Sequence, residues 1–438
     1  MTAITATTPR AWAAGLPERH GGRLVLVALA AIVVLGLALR VESALDPLDV
    51  RPGTDSAVYA AVAERLYEHQ SFVVPGSDAP YDWSPGAPLF YAAVYYATGG
   101  VHLAVARLAV ALLGTLTIVL VYLIGRRLAG SVAGLAGAAL LALYPVTIFF
   151  TGKLMSEPLA TLTLAGAVLS SFWAGDPGRR RLAWAAPGVL LGLTAFARPE
   201  YLAFVVAFAL FALIRGRLPG AAILVVAFAL PILPWTLHVS SAEGRFVPIS
   251  TGGGKALFIG TYLPGDGLHL DVKRELLRRF EGREDVPASE LSQISMTPLL
   301  NRVAAKYAGL ERDAALQRIG RENARRYLTE QPLDFAGMVA GKMWHMWHGS
   351  GAAGRSTYGT IFHFAALALG LAGLVLLALR RRYEVLLIAA LVLGITVVGG
   401  LLLAGTRRNV TLMPLVMALA GVTVATAVPW AKGRLASR

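Results

Sequence analysis

Apolar runs of about 17–22 residues recur along the chain, each long enough as a helix to cross a hydrocarbon core of ~30 Å. They predict ten membrane spans, at roughly 24–41, 101–124, 131–150, 157–174, 182–197, 200–214, 221–238, 360–379, 384–404 and 409–429. Two long polar stretches interrupt the series, one from Glu42 to about Gly100 and one from about Val239 to Gly359. Within the second, "DVKRELLRRF" and "ALQRIGRENARRYL" repeat their apolar positions at helical period and turn basic faces outward. In "QPLDFAGMVAGKMWHMWH", Pro332 suits a first helical position, and Phe335, Met338, Val339, Lys342 and Met346 share one face. Trp344 and Trp347 suit a helix lying at headgroup level. The pattern predicts an all-α polytopic membrane protein in three parts: a membrane module with its first outer loop over 1–238, a loop domain over 239–359, and a second membrane module over 360–438.

Composition agrees, with 56% of the 438 residues hydrophobic and 15% charged, against roughly 25% charged in an ordinary soluble domain. The net charge of +14 acquires meaning only by position. Arg126 and Arg127, Arg179 to Arg181, Arg215 and Arg217, Arg380 to Arg382 and the tail from Lys432 all flank the same ends of the runs. By the positive-inside rule these ends are cytoplasmic, with both termini, and the two long stretches lie outside. That distribution speaks for membrane orientation and against a nucleic-acid partner. The first run is long for a signal peptide and lacks a small-residue cleavage site, so it is expected to remain a span. There is no cysteine, which excludes disulfides, thiolate metal sites and cysteine nucleophiles.

Polar residues with chemical potential collect on the outer face. "STGGGKAL" lacks Walker spacing; it reads as a glycine turn, or as one presenting Lys255 to an anion. "HMWH" sets His345 and His348 three apart, a spacing compatible with metal but without an intervening glutamate. The first outer segment holds Asp46, Asp49, Asp55, Asp78 and Asp82. Asp55 reads either as a helix cap, a role Thr54 could equally fill, or as a carboxylate held at the membrane surface as general base or metal ligand. Glu157 opens a span in "KLMSEPL", and Arg198 and Glu200 occupy a tight outer connection; Arg198 could pair with either acid. Arg407 and Arg408 stand in a very short outer turn with no acid near them in the sequence. Either headgroups solvate them by snorkelling, or they hold a phosphate, whose oxygens match a guanidinium fork.

In order along the chain, "TDSAVYAAVAERL", "WSPGAPLFYAAVYYATGG", "LLALYPVTIFFTGKLMSEPLATL", "GLTAFARPEY", "PWTLHVSSAEGRFVPISTGGGKAL" and "TRRNVTLMP" resemble landmarks of the bacterial GT-C membrane glycosyltransferases. That broad group includes protein O-mannosyltransferases and aminoarabinose transferases. The resemblance covers most of the chain. It implies that Asp55 matches the catalytic aspartate and Tyr59 the tyrosine four residues on. The glutamate that follows the aspartate in the family is Ser56 here. "SPGAP" lacks the lysine of aminoarabinose transferases, which argues against that enzyme, and His238 is an uncertain substitute for the family's arginine after Pro-Trp.

The resemblance implies transfer of a sugar from a polyprenyl-phosphate donor to a lipid, glycan or protein acceptor outside the cytoplasmic membrane. Asp55 would serve as base or metal ligand, with Arg407, Arg408, Lys255 and Arg198 on the donor phosphate. Tyr59, Glu157, Asp82 and His348 are further site candidates, and a divalent cation, Mg or Mn, is an optional cofactor. The alternatives are a lipid-linked oligosaccharide ligase or polymerase, and a transporter. Transport fits less well, because midplane charges and inverted repeats are missing.

Overall fold

The computed structural model describes residues 18–46, 54–73, 81–291, 293–348 and 356–436. Asp49 and Asp78 lie outside the described residues. The described residues are helical nearly throughout. Twenty α-helices follow one another: α1 (Glu18–Leu45), α2 (Asp55–His69), α3 (Gly86–Thr98), α4 (Leu103–Ala129), α5 (Ser131–Leu143), α6 (Pro145–Thr151), α7 (Glu157–Ala174), α8 (Ala185–Ala197), α9 (Val205–Ile214), α10 (Leu218–Ala229) and α11 (Leu233–Glu243). The loop domain contributes α12 (Gly253–Thr261), α13 (His269–Glu281), α14 (Ala288–Leu291), α15 (Thr297–Ala304), α16 (Arg312–Glu330) and α17 (Pro332–His348). The chain then returns to the bundle through α18 (Thr357–Leu379), α19 (Glu384–Leu401) and α20 (Met413–Ala436).

Helices stand at all ten predicted positions, but the count of ten spans is not established. Among the described residues five helical segments are long and apolar enough to cross a membrane, and up to seven if two bent pairs each count as one span. The pairs are α5 with α6, bent by 56°, and α10 with α11, bent by 49°. The reason is local. Pro145 ends the run after Leu143, and Pro231 and Pro234 interrupt the other, because a proline removes an amide donor and clashes with the preceding turn. Arg181–Ala197 and Pro199–Ile214 are apolar but short.

In the bundle, α20 packs on α4, α5 and α18, while α7 and α10 flank α8. The loop domain has its own core, in which Phe258, Val272, Leu276, Leu299 and Leu316 are buried. Within α17, Phe335, Met338, Lys342 and Met346 are buried as the sequence predicts, and Trp344 faces outward. Trp347 turns inward instead, donating to Thr396 of α19 at 2.9 Å.

Two close approaches fix the geometry at one end of the bundle. A Cβ on Gly86 would lie 2.7 Å from the Ala197 backbone, so α3 sits directly on the end of α8. Ser84 adds a hydrogen bond to the Ala197 carbonyl at 2.7 Å. Gly260 likewise lets α12 touch the Leu402 backbone, where α19 ends. The segment between α1 and α4, the loop domain and the turn before α20 thereby meet over the same end of the bundle.

Candidate active site

Each helix terminus at this end delivers a charged side chain. At the start of α2, Thr54 is extended and its hydroxyl accepts from the Ala57 amide at 3.4 Å. Thr54 is therefore the cap, and Asp55 is released from that role. Ser56 accepts from the Leu154 amide at 3.1 Å, and the Tyr91 hydroxyl donates to the Met155 carbonyl at 2.6 Å. These bonds hold the connection between α6 and α7 beneath α2, which sets Glu157, the first residue of α7, close to Asp55. Arg198 precedes Pro199, which disfavours the helical region for it; it is extended and ends α8.

The outcome is a ladder of alternating charge. Arg407 donates to Asp55 Oδ2 and, at 2.9 Å, to Glu157 Oε1. Glu157 Oε1 also lies 2.8 Å from Arg198, which holds Glu200 at 2.7 Å. Arg408 closes the series 4.0 Å from Glu200. Glu157 is fully buried, yet its Oε2 and the Arg408 Nη1 have no hydrogen-bond partner. The pairing of Arg198 left open in the sequence resolves to both acids at once. Arg407 does have acids beside it, contrary to the sequence reading, because they arrive from positions 250 and 352 residues away in the chain.

The loop domain packs against the turn that carries Arg407 and Arg408. Leu268 forms a parallel backbone bridge with Ala404. Lys342 donates to the carbonyls of Gly260 and, at 3.1 Å, Leu402. The Asn409 amide donates to the Met346 carbonyl at 2.7 Å.

The loop domain also contributes to the field at Asp55. Burial works to raise the pKa of Asp55, but the charge and hydrogen bond of Arg407, with Lys255 and His269 further off, hold it below the usual carboxylate value. His269, at the start of α13, was missed in the sequence, where nothing distinguishes it from any residue of an amphipathic helix. Burial, with Lys255 and Lys273 adding to it, pushes its pKa down to about 4, so it is neutral at pH 7. Lys255 stands 5.7 Å from the Trp83 ring, whose edge meets Tyr59 at 5.6 Å. Tyr59 is buried under Asp55 and bonds Ser156, and its pKa is raised by burial and then by the charges of Asp55 and Glu157.

Two candidates fall elsewhere. Asp82 accepts from Thr251 at 2.9 Å and pairs with Arg312 at 2.8 Å, which braces the loop domain against the first outer segment. His348 is exposed at the end of α17, between Trp344 and Phe364. His238 lies against Trp235 and Tyr81.

A divalent ion does not fit this donor set. Among the described residues no group of three or more His, Asp or Glu is placed to hold a metal. Asp55 and Glu157 already face guanidinium groups, and the remaining neighbours of Asp55 include Lys255. Positive charge repels a cation.

Residues 80–238 match the sequence family described as dolichyl-phosphate-mannose-protein mannosyltransferase. No curated protein matches the chain. Among solved structures, the oligosaccharyltransferase AglB of Archaeoglobus fulgidus, in complex with an inhibitory peptide and a dolichol-phosphate, is 17% identical with a TM-score of 0.57. The alignment covers 95% of this chain and 51% of the archaeal one. The apo form of the A. fulgidus oligosaccharyltransferase gives 15% identity and a TM-score of 0.56 over 90% of this chain and 50% of the other. ArnT of Cupriavidus metallidurans, bound to undecaprenyl phosphate, is similar at 16% identity and a TM-score of 0.44, over 92% and 78% of the two chains. The protein is thus a polytopic helical membrane protein that shares its fold with the archaeal oligosaccharyltransferase. It spans about half the length of the archaeal oligosaccharyltransferase.

Proposed function

We propose that the protein is a membrane glycosyltransferase that moves a sugar from a polyprenyl-phosphate donor to a hydroxyl acceptor at the outer face of the bacterial cytoplasmic membrane. The observation that carries this reading is the ladder. It gathers a carboxylate below its ordinary pKa and a set of guanidiniums at one membrane end, under a loop domain that completes the enclosure. The family match over 80–238 supports the reading, as does the polyprenyl phosphate bound in the archaeal neighbour.

In this reading Asp55 accepts the proton of the acceptor hydroxyl. The acceptor oxygen attacks the anomeric carbon, the bond from that carbon to the phosphate oxygen breaks, and its electron pair stays on the phosphate. Arg408 is the best-placed phosphate ligand, because its Nη1 donor is unused and its one acid is 4.0 Å away. Arg407 and Lys255 support it, whereas Arg198 is engaged by Glu157 and Glu200 and acts as a positioning residue. Both termini are then cytoplasmic.

The test is transfer by the reconstituted protein from a polyprenyl-phosphate hexose, with mass spectrometry of envelope glycolipids and glycoproteins in cells with and without it. Transfer that requires Asp55 and leaves a polyprenyl phosphate product supports the reading; its absence with folded protein overturns it. A reporter inserted near Gly282 should read external and one after Arg382 cytoplasmic. The reverse result would refute the orientation.

A further inference from the structure

Arg407 holds both carboxylates nearest the reacting position, and its two links differ in kind. Glu157 is fully buried and shared with Arg198, so it cannot follow a moving partner. Asp55 is the open partner, with 28% of its side chain exposed against 38% for Arg407. The exposed edge of Arg407 is thus occupied by the one carboxylate able to leave. The donor's phosphate is a diester with two unesterified oxygens and one charge, so it meets the guanidinium fork on the same terms as the Asp55 carboxylate, and the spent monoester that leaves carries up to two charges.

We propose that Asp55 and an incoming prenyl phosphate compete for Arg407, so that the carboxylate is released to act as base only when donor is bound. This inference rests on the donor-phosphate reading above. In the empty protein Asp55 is tied to a cation and is a poor proton acceptor. When phosphate takes the outer edge of Arg407, the tie to Glu157 keeps the guanidinium in place and Asp55 turns free. The other titratable groups facing Asp55 are Tyr59 on its own helix, Lys255 on α12 and His269 on α13. Lys255 leaves the released carboxylate a counter-charge, and neutral His269 does not quench it. An acceptor that arrives first meets an engaged base, so productive binding is ordered, donor before acceptor.

The experiment uses the full chain in nanodiscs with farnesyl phosphate as probe and farnesol as neutral control. Removing the competitor should help the probe: Asp55→Asn should bind farnesyl phosphate about tenfold more tightly than the parent, as expected for a partly exposed charged hydrogen bond. Asp55→Ser should behave alike, which guards against a folding fault in one variant, and unfolding temperatures confirm that both are intact. Loss of one negative charge raises the general positive field, and that gain would persist in any background. The tightening should instead vanish when Asp55→Asn is added to Arg407→Gln, giving a non-zero coupling in the double-mutant cycle. Unchanged or weaker binding in both Asp55 variants, or equal tightening without Arg407, overturns the competition while leaving phosphate recognition standing. No preference for farnesyl phosphate over farnesol in the parent and the Asp55 variants overturns the donor-phosphate reading and the competition together.

Discussion

At the end of the bundle away from the loop domain, Arg127 donates to Asp176 and to the Tyr383 hydroxyl at 2.8 Å. Arg382 joins Glu384 at 2.8 Å and reaches the Arg127 carbonyl at 3.3 Å. Arg215 reaches the Gly175 carbonyl at 3.1 Å and stacks on Tyr383 at 3.7 Å. At the loop-domain end the same residue types form the ladder from Asp55 to Arg408. The far cluster uses carbonyls, a phenol and an aromatic face together with acids. It satisfies orphan groups at helix ends and staples α4, α9 and α19 to the connections between them. In the ladder the guanidiniums meet only carboxylates; Arg408 Nη1 and Glu157 Oε2 lack hydrogen-bond partners there, as does the Arg127 Nε of the far cluster. Arginines that close helix termini draw on whatever acceptors are nearby. The ladder's arginines are instead held in position by acids alone.

The sharpest way to break this comparison is to neutralise one acid at each end. Asp55→Asn is expected to lower transfer by a hundredfold to ten-thousandfold, the usual contribution of a general base. Its melting temperature should hardly move, because Thr54 carries the cap. Asp176→Asn should leave transfer near the parental rate; a transfer assay and a detergent melt on both variants decide the matter. Glu157→Gln comes next. It strands Arg198 and Arg407 without a fully buried partner, and breaking a buried pair costs about 3–5 kcal/mol, which a thermal or denaturant series would register.

Acidity separates the two ends as well. His269 stays neutral until pH falls to about 4, whereas in the unfolded chain it takes up its proton near 6.5. The unfolded state therefore binds more protons across this window, and folding free energy falls as pH drops from about 6.5 to about 4. The loss should amount to about 2–3 kcal/mol, should be absent from His269→Gln and should therefore appear in the difference between parent and variant. A difference that stays flat across the window would show that the imidazole is not secluded. Arg408→Gln is expected to weaken prenyl phosphate binding about tenfold to a hundredfold, as for a lost charged hydrogen bond, while leaving acceptor affinity unchanged in a titration. The smallest effect belongs to Arg127→Gln. At a partly exposed pair it should lower stability by about 1 kcal/mol and leave transfer intact.

The membrane class and the helical ladder of the chain were legible because hydrocarbon thickness imposes a run length that no soluble core imitates. Arg126 and Arg127 or Arg380 to Arg382 could be assigned to one side because arginine clusters beside short loops resist translocation. The number of spans was less legible. Pro145 and Pro231 bend apolar runs that read as continuous, and length alone does not say whether such a pair crosses or turns back. At the site, Asp55, Glu157, Arg198, Arg407 and Arg408 could be singled out one by one as costly charges near a membrane face. Their arrangement could not, since Arg407 finds its partners only through the packing of α2, α7 and the turn before α20. His269 carried no signal at all, because its position beside Asp55 depends on the Leu268–Ala404 bridge.

The ladder also bears on how often such a site could be reused. It pairs three carboxylates, Asp55, Glu157 and Glu200, with three guanidiniums, Arg407, Arg198 and Arg408, so its formal charge is zero. A pocket of three bare arginines would bind a lipid phosphate tightly and then fail to let it go, and dissociation of the spent carrier would limit turnover. With the internal acids ready to take the arginines back, the leaving lipid of the proposed reaction would be replaced from within the protein rather than by water. Removing Glu200, the acid beside Arg408, should therefore first reveal itself in slow carrier exchange, as a burst of one product per protein followed by a stall.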